Sequence, residues 1–473
     1  MAFLVGGANS ASGGYEISNS CRFDGTSSYM SITPGSAGNR RTFTISCWLK
    51  VQPESSSRAI ISTGADSGSN DYVYFTSADK IKFSFATESS GDVMFAPVFR
   101  DPAAWYHFVF AVDTTQGTAA NRVKGYQNGV QMTVTNDSYP DQNYDTAFNN
   151  TVVQRIGGRS YSVTQYYDGY MADFILVDGS QLTPSSFGET NNNGVWIPKE
   201  ADVTYGTNGF KLEFKQTGTS QNSSGIGADT SGNDNHLAVT NLAATDQTTD
   251  TPSNNFATMN PLIKSTTGSS NLPTYSEGNC LVTNHDDGDC STLSTIGVAN
   301  GRWYFEAKFE KATTDVQGYP QLGWAKHGND NDGGHVGFHT PDGSNYRGKV
   351  DATVIANAFD GVPAANDIIG FYLDVDNGTL IVHQNGSDFM GSGASSGLDF
   401  SSTTFDPDTG FFHAKYNSNS NVDHSIQFNF GNPTWSLSSA VSDANGYGNF
   451  EYSPTLSGTD YYALCTKNLA EHG

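Results

Sequence analysis

Carboxylates are the chemically active groups this sequence has most of, and they are mostly of one kind, 37 Asp against 11 Glu. Two carboxylates on one strand can hydrolyse a glycosidic bond if both face the same groove, as in an E-x-D-x-x-E run. The nearest approach is Glu200-Ala-Asp202-Val-Thr-Tyr205, which lacks the second Glu and with it the proton shuttle. Gly393-Ala-Ser395-Ser-Gly397 spells a serine nucleophile elbow, but in a Gly/Ser loop without the strand-turn-helix setting that exposes such a serine. Gly328-Asn-Asp330-Asn-Asp332-Gly333 suggests a calcium loop until Gly333 is set at its sixth position. Position one is then Gly328 and position twelve His339, so two ligands fail. His327, His335 and His339 lie in a Gly- and Asn-rich loop without cysteine and without a standard zinc spacing, so they read as surface histidines. No P-loop and no H-E-x-x-H occurs. The expectation is a protein that is not an enzyme.

Binding is better provided for. Tyr161, Tyr166, Tyr167 and Tyr170 surround a loop that precedes a strand, and a flat apolar ring with a polar tip suits the stacking of a sugar. Alternate members of the same run can equally pack inward as core. Of the five cysteines, Cys21, Cys47, Cys280, Cys290 and Cys465, the first two lie in strand-like runs and read as buried thiols. Cys280 and Cys290 flank an acidic loop and could close a hairpin.

The elements that must position these residues are strands. Phe43-Thr-Ile-Ser-Cys-Trp-Leu49 and Trp303-Tyr-Phe-Glu-Ala-Lys-Phe309 alternate at period two, which predicts sheet strands with one wet face, Glu306 and Lys308 on the wet side of the second. Asn-Gly pairs at 128–129, 377–378 and 385–386 suit type I′ hairpin turns, and Asp374 to Val382 is the clearest hairpin. Asp favours turns where Glu favours helices, and no long amphipathic stripe is present, so helices should be short and few. Between about 200 and 275 the text turns polar and poor in apolar residues, which predicts a connector. The fold class expected is all-β: two antiparallel β-sandwich jelly-roll domains, 15–200 and 275–473, joined by a Gly/Ser/Thr/Asn-rich connector over 201–274.

The net charge is −24, with 13 basic and 18 acidic side chains in residues 1–200 against 11 and 30 in residues 201–473. Nucleic-acid binding and adsorption to anionic membrane both need cationic surface, so neither is expected. No apolar run is long enough to span a bilayer, and the N-terminus lacks the basic region of an export signal.

The first unit resembles the laminin-G-like, concanavalin-A-type jelly roll through Phe23-Asp-Gly25, Phe43 to Leu49, Trp105 to Asp113, Tyr126-Gln-Asn-Gly-Val130, Ile156-Gly-Gly158 and Asp168 to Ser185. The second is similar to a SPRY domain through Gly301 to Glu306, Gln321-Leu-Gly-Trp324, Asp367 to Asp374, Gly378 to Gly386 and Ile426 to Gly431. The first resemblance implies calcium at a sandwich rim, with Asp24 and Asp168 or Asp173 as the carboxylates, although Asp is also the usual turn former. The second implies variable binding loops at the place of His327, Asp330 and His335, with Trp324 more in keeping with core.

The layout as a whole resembles virion proteins of tailed bacteriophages, especially marine ones, through Phe99 to His107, Leu182 to Glu189, Tyr205 to Phe210, Asp229 to Asn233 and Asp250 to Leu262. That resemblance implies a tail-fibre or receptor-binding protein on the virion surface, with other virion proteins and a host surface polysaccharide or receptor as partners. It also implies a homo-oligomer, a trimer first. The short stretch ahead of the first strand departs from long fibres with a separate anchoring domain and leaves the mode of attachment open. The rival expectations are a structural or capsid decoration protein that binds other virion subunits, and a polysaccharide-degrading jelly-roll enzyme.

Overall fold

The computed structural model describes residues 14–53, 56–64, 66, 70–85, 91–161, 164–267, 272–284, 289–311, 320–326, 335–342, 345–401, 410–416 and 424–473. The chain divides into two compact units, Ala11–Ser253 and Asn254–Gly473. Both are built of antiparallel sheets, and the one α-helix among the described residues is Thr466–His472. No helix among the described residues is long and apolar enough to cross a membrane.

In the first unit one sheet runs in the order Val130–Gln131, Val123–Gln127, Trp105–Asp113, Thr42–Val51, Asp168–Asp178, Ser20–Asp24 and Gln247–Thr248, with Phe210–Leu212 also paired to Asp168–Asp178. The other runs Val134–Asp137, Asp92–Val98, Lys80–Ser84, Asp71–Phe75, Arg58–Thr63, Gln154–Ile156, Tyr29–Ile32 and Ala238–Thr240. Alternate residues of the two sheets, among them Cys47, Leu49, Val73, Phe83, Phe108, Phe110 and Met171, form the core between them.

The wet face expected on Thr42–Val51 is absent, because a further layer covers it. Trp48 stacks on His107 at 4.8 Å, His107 stacks on Trp196 at 5.9 Å, and Tyr15, Ile17 and Trp105 pack beside them. Trp196 stands on a small hairpin, Gly188–Thr190 with Trp196–Pro198. Its Nε1–H donates to His107 Nδ1 at 3.0 Å, so the imidazole proton is on Nε2 and is donated to Ser46 Oγ at 2.9 Å. Burial pushes the His107 pKa down to about 3. A depressed histidine contributes stability above its unfolded pKa of about 6.5 and loses it as the pH falls toward 3. His107→Phe, which keeps the stack and removes the titration, is expected to flatten that part of the melting temperature's decline with acid.

The stretch expected to be a connector belongs largely to the first unit. Phe210, Leu212, Phe214, Ile226, Leu237 and Leu242 are buried in its core, and Phe210–Leu212, Ala238–Thr240 and Gln247–Thr248 add strands to both sheets. The reason is that single apolar residues, spaced far apart in polar text, each plug the sandwich without forming a periodic run. Asp250 completes the insertion, its Oδ2 lying 2.7 Å from Lys50 Nζ and its Oδ1 accepting from Trp105 Nε1 at 3.0 Å. Lys50 and Asp250 are 2% and 0% exposed, so the ion pair is sealed from water.

In the second unit one sheet runs Met259–Thr267, Asp289–Val298, Gly410–Tyr416, Gln321–Lys326, His335–Asp342, Asn345–Val350 and Thr353–Ile355. The other runs Thr274–Ser276, Leu281–Asn284, His424–Asn429, Arg302–Lys311, Ile368–Asp374, Thr379–Gln384 and Ser387–Asp388, with Leu398–Asp399 and Tyr462–Ala463 at its margins. Phe305, Phe371, Phe412 and Trp324 are at the centre of the core. The hairpin read from Asp374 to Val382 forms, but with a four-residue turn in which Gly378, at φ 64°, takes the left-handed position. At Asn128-Gly129 and Asn385-Gly386 both residues have positive φ, as a type I′ turn requires.

Glu306 is the second departure from the expected wet face, at 0% exposure. Its carboxylate accepts from the Tyr304 hydroxyl at 3.1 Å, Asn429 Nδ2 at 3.0 Å and the backbone N–H groups of Glu451 and Tyr452 at 3.0 and 2.9 Å. The segment around Phe450 and Tyr461 lies over this face, packing with Tyr304 and Tyr372 in a second small core. Cys21, Cys47 and Cys465 are buried thiols, and Cys280 is buried as well. The side chain of Cys290 lies outside the described residues, and with it the hairpin bridge.

Candidate functional site

The four tyrosines read as one group separate. Tyr167 is core at 0% exposure, its hydroxyl donating to the Lys50 carbonyl at 3.0 Å and its ring edge-on to Phe23. Tyr170, at 1%, is on the opposite side of the sheet, beneath the Lys50 ammonium and beside Trp105. Both leave the candidate surface because the chain enters the strand Asp168–Asp178, which is buried along its whole length. Tyr161 stays exposed, at 36%, and Tyr166 is half-buried.

His327 and Asp330 lie outside the described residues. His335 is a strand residue, 4% exposed, and not the loop residue expected. Its Nε2 is 3.0 Å from the Phe338 carbonyl and its Nδ1 is 3.2 Å from His413 Nδ1. Burial, then the neighbouring His413, lowers its pKa well below the usual histidine range. His335 and His413 are packed together and buried, so they offer no contact surface. Trp324 is core, as read.

The three rim aspartates do not converge on an ion. Asp24 and Asp168 are register partners at one end of their strands. Asp24 Oδ1 accepts from the Thr26, Ser27 and Ser28 backbone N–H groups at 2.8 to 2.9 Å and from the Ser28 hydroxyl, and Oδ2 accepts from the Ser27 hydroxyl. Burial opposes its charge, but these donors prevail and hold its pKa below the ordinary carboxylate range. Asp173 is five residues further along, roughly 15 Å of strand. It sits at φ 43° in a register shift between Ala172 and Ile175, with its carboxylate 3.7 Å from Lys211 Nζ. Burial raises Asp173 to about 6 against the pull of Lys211. Asp24 is thus taken up by local donors and Asp173 by Lys211, so Asp173 shares no site with the other two, and no group of three metal-ligating side chains occurs among the described residues.

A different set of residues does converge. In the second sheet of the first unit Ile61, Val73, Phe83 and Ile156 face the core, so Ser62, Tyr72, Tyr74, Lys82, Ser84 and Arg155 point outward. Register places Arg155 beside Ser62, Ser62 beside Tyr72, Tyr72 beside Ser84 and Ser84 beside Asp92 in one outward row. The Tyr72 and Tyr74 rings stack at 4.4 Å and 18°. From the loop after Gln154–Ile156, the Arg159 guanidinium lies 4.8 Å from the Tyr72 ring centre and 5.7 Å from that of Tyr161. Arg155 lies 4.8 Å from the ring of Tyr29.

This face is braced from below. Asn70, 0% exposed, donates from Nδ2 to the Thr63 carbonyl and to Ser160 Oγ, both at 2.9 Å, and accepts from Arg159 Nε at 2.9 Å. Ser62 Oγ accepts from the Ser160 backbone N–H at 2.6 Å and donates to the Gly158 carbonyl at 2.8 Å. Arg155 donates from one terminal nitrogen to the Ser160 and Arg159 carbonyls at 2.8 and 3.3 Å. Burial, then the neighbouring Tyr74, pushes the Tyr72 pKa up to about 12 against Arg159, so the hydroxyl is neutral and can donate or accept. Tyr72 and Tyr74 are each only 9% exposed, so the open part of the face is the Tyr161 ring with the half-buried Arg155 and Arg159 guanidinium groups beside it. Of its residues sequence reading found only Tyr161 and Tyr166. The rest come from six separated segments, and the available signal was the pair of arginines flanking Ile156-Gly-Gly158.

Residues 24–186 match the concanavalin A-like lectin/glucanases superfamily. No curated protein matches the chain. Among solved structures, the chain is similar to the native heptameric SAP-like pentraxin from Limulus polyphemus, at 15% identity over 36% of this chain and 80% of that one, TM-score 0.28. It is similar to the SPRY domain of human HERC1, at 11% identity over 36% of this chain and 96% of that one, TM-score 0.23. It is similar also to the Ruminococcus gnavus IT-sialidase CBM40 bound to alpha2,3 sialyllactose, at 15% identity over 30% of this chain and 89% of that one, TM-score 0.23. With the facing antiparallel sheets and the family match in agreement, the first unit carries a concanavalin A-like jelly-roll domain over residues 24–186.

Proposed function

We propose that this chain is a non-enzymatic, carbohydrate-binding protein on the surface of a tailed-bacteriophage virion, a tail-fibre or receptor-binding component that holds a host cell-surface glycan. The observation that carries the glycan reading is the outward face of Tyr72, Tyr74, Tyr161, Arg155 and Arg159, anchored by Asn70 on a concanavalin A-like domain. A sugar ring has an apolar C–H face and a polar hydroxyl rim, and this surface supplies rings for the first and fixed donors for the second. The virion assignment, the homotrimer and the contacts with other virion proteins rest on the sequence resemblance through Phe99 to His107, Leu182 to Glu189 and Asp250 to Leu262.

The test is an oligosaccharide array with the full chain, set beside immunogold labelling of purified particles. Tyr161→Ala removes the exposed ring, so binding is expected to weaken about 10-fold, the order of one well-placed aromatic contact. Absence of binding to any glycan, including host envelope polysaccharide, overturns the glycan reading. Absence of label from the particle overturns the virion reading.

A further inference from the structure

We infer that the Arg159 guanidinium is a carboxylate receptor, and that the sugars held on this face are acidic ones, uronate or sialate residues; the inference rests on the glycan reading above. Arg159 is held in a fixed pose by three contacts, the Tyr72 ring at 4.8 Å, the Tyr161 ring at 5.7 Å and Asn70 Oδ1 at 2.9 Å from Nε. All three partners are neutral. Asn70 is itself locked to Thr63 and Ser160, so the guanidinium plane cannot rotate without breaking a buried amide's bonds. Only Nε is used, and among the described residues Arg159 has no carboxylate partner and its two terminal NH2 groups have no hydrogen bond.

The other arginines of this unit are each satisfied: Arg40, Arg122 and Arg155 donate to backbone carbonyls from a terminal nitrogen, and the remaining four are paired with carboxylates. Arg22 is paired with Asp246, Arg58 with Asp79, Arg41 with Asp145 and Arg100 with Asp79. On the same face Lys82 is ion-paired with Asp92. What sets Arg159 apart in this unit is that, among the described residues, it has neither a carboxylate partner nor a hydrogen bond on its terminal nitrogens. Its end-on edge presents two parallel N–H donors, the geometry a carboxylate accepts bidentately, and the rings on either side restrict the approach to a flat, ring-bearing anion. Arg155 is a positioning residue here, because its donations to the Arg159 and Ser160 carbonyls hold the loop that carries Arg159.

The experiment is titration calorimetry on the full chain with a trigalacturonate, a sialylated trisaccharide and the carboxyl-reduced form of each. Each reduced sugar is expected to bind at least roughly 10-fold more weakly than its acid, the effect of losing a charge-assisted bidentate bond. Arg159→Lys and Arg159→Gln should remove that preference. The comparison of acid with reduced sugar needs no variant, so a misfolded Arg159→Gln would not blunt the test. Equal affinity for acid and reduced forms overturns this inference and leaves the glycan reading standing. Binding of neither, with no neutral glycan bound on the array, overturns both. Binding of a polyglutamate peptide as tight as that of the acidic sugars overturns the sugar assignment.

Discussion

Replacing Asp250 with alanine is expected to destabilise the first unit by about 3–5 kcal/mol, the cost of leaving a buried charge without its partner. Lys50 Nζ is 2.7 Å from the carboxylate in a site where neither residue reaches water, and it also lies over the Tyr170 ring. Trp105 loses the acceptor for its indole N–H at the same time. For a unit of this size the loss corresponds to roughly 10 °C of melting temperature. Asp250→Asn keeps an acceptor for Trp105 and isolates the charge effect. The double variant Lys50→Met with Asp250→Asn removes both charges and is expected to recover most of the loss, since neutral pairs of similar volume replace buried ion pairs at little cost. Thermal melts of the full chain, with the first unit followed by the near-ultraviolet signal of its tryptophans, check the series. A single Asp250→Ala variant within about 1 kcal/mol of the parent would show that water reaches Lys50 and that the 240–253 segment is not sealed against the sandwich.

The second large effect is at Glu306. Glu306→Ala orphans four donors, Tyr304 Oη, Asn429 Nδ2 and the Glu451 and Tyr452 N–H groups, and is expected to cost the second unit about 3 kcal/mol or more, each buried unsatisfied group costing about 1–3. Burial raises the Glu306 pKa from its ordinary 4.5 to about 7, against the pull of those same donors. A carboxyl whose pKa is raised on folding contributes stability in full below about pH 4.5 and loses it as the pH rises through about 7. The melting temperature of the second unit should therefore fall between pH 5 and 8, and Glu306→Gln, which cannot ionise, should remove that slope. A slope of equal size in the glutamine variant would assign the titration to another group.

These two residues mark where sequence reading stops. The strands were legible from alternation: Thr42–Val51 and Arg302–Lys311 contain the runs that the apolar period marked, whereas Trp105–Asp113 was legible through the family resemblance. What alternation could not reveal is a covering layer. Glu306 occupies a formally outward position, but residues 449–463, more than 140 positions away, lie across it. Ser46, Trp48 and Lys50 are outward too, and Trp196, Ile17 and Asp250 close over them. Asp250 itself stands in polar text that looks like linker, because a chain laid along a sandwich needs only one plug every dozen residues. The candidate site failed to appear for the same reason. Tyr72, Asn70, Arg159 and Tyr161 become neighbours only through the register of Arg58–Thr63 between Asp71–Phe75 and Gln154–Ile156, and nothing local to any one of them records the other three. Tyr167 and Tyr170 show the converse, a local cluster that the fold divides between two sides of one sheet.

In each unit, the segment by which the chain enters lies against the segment by which it leaves. In the first, Ser20 and Cys21 pair with Thr248 and Gln247, and the Ile17 N–H donates to Ser253 Oγ at 3.0 Å. In the second, the Ala257 N–H donates to the Leu464 carbonyl at 2.9 Å, the Thr466 N–H donates to the Asn255 carbonyl at 2.9 Å, and Phe256 bridges Cys465. Tension applied through the two ends of either unit would meet antiparallel hydrogen bonds that open one after another from the outside, as a zip does, before any load reached the inner strands of the sheets. Each unit would then lengthen by a few residues at low force and close again on release, a give that protects the sandwich interior.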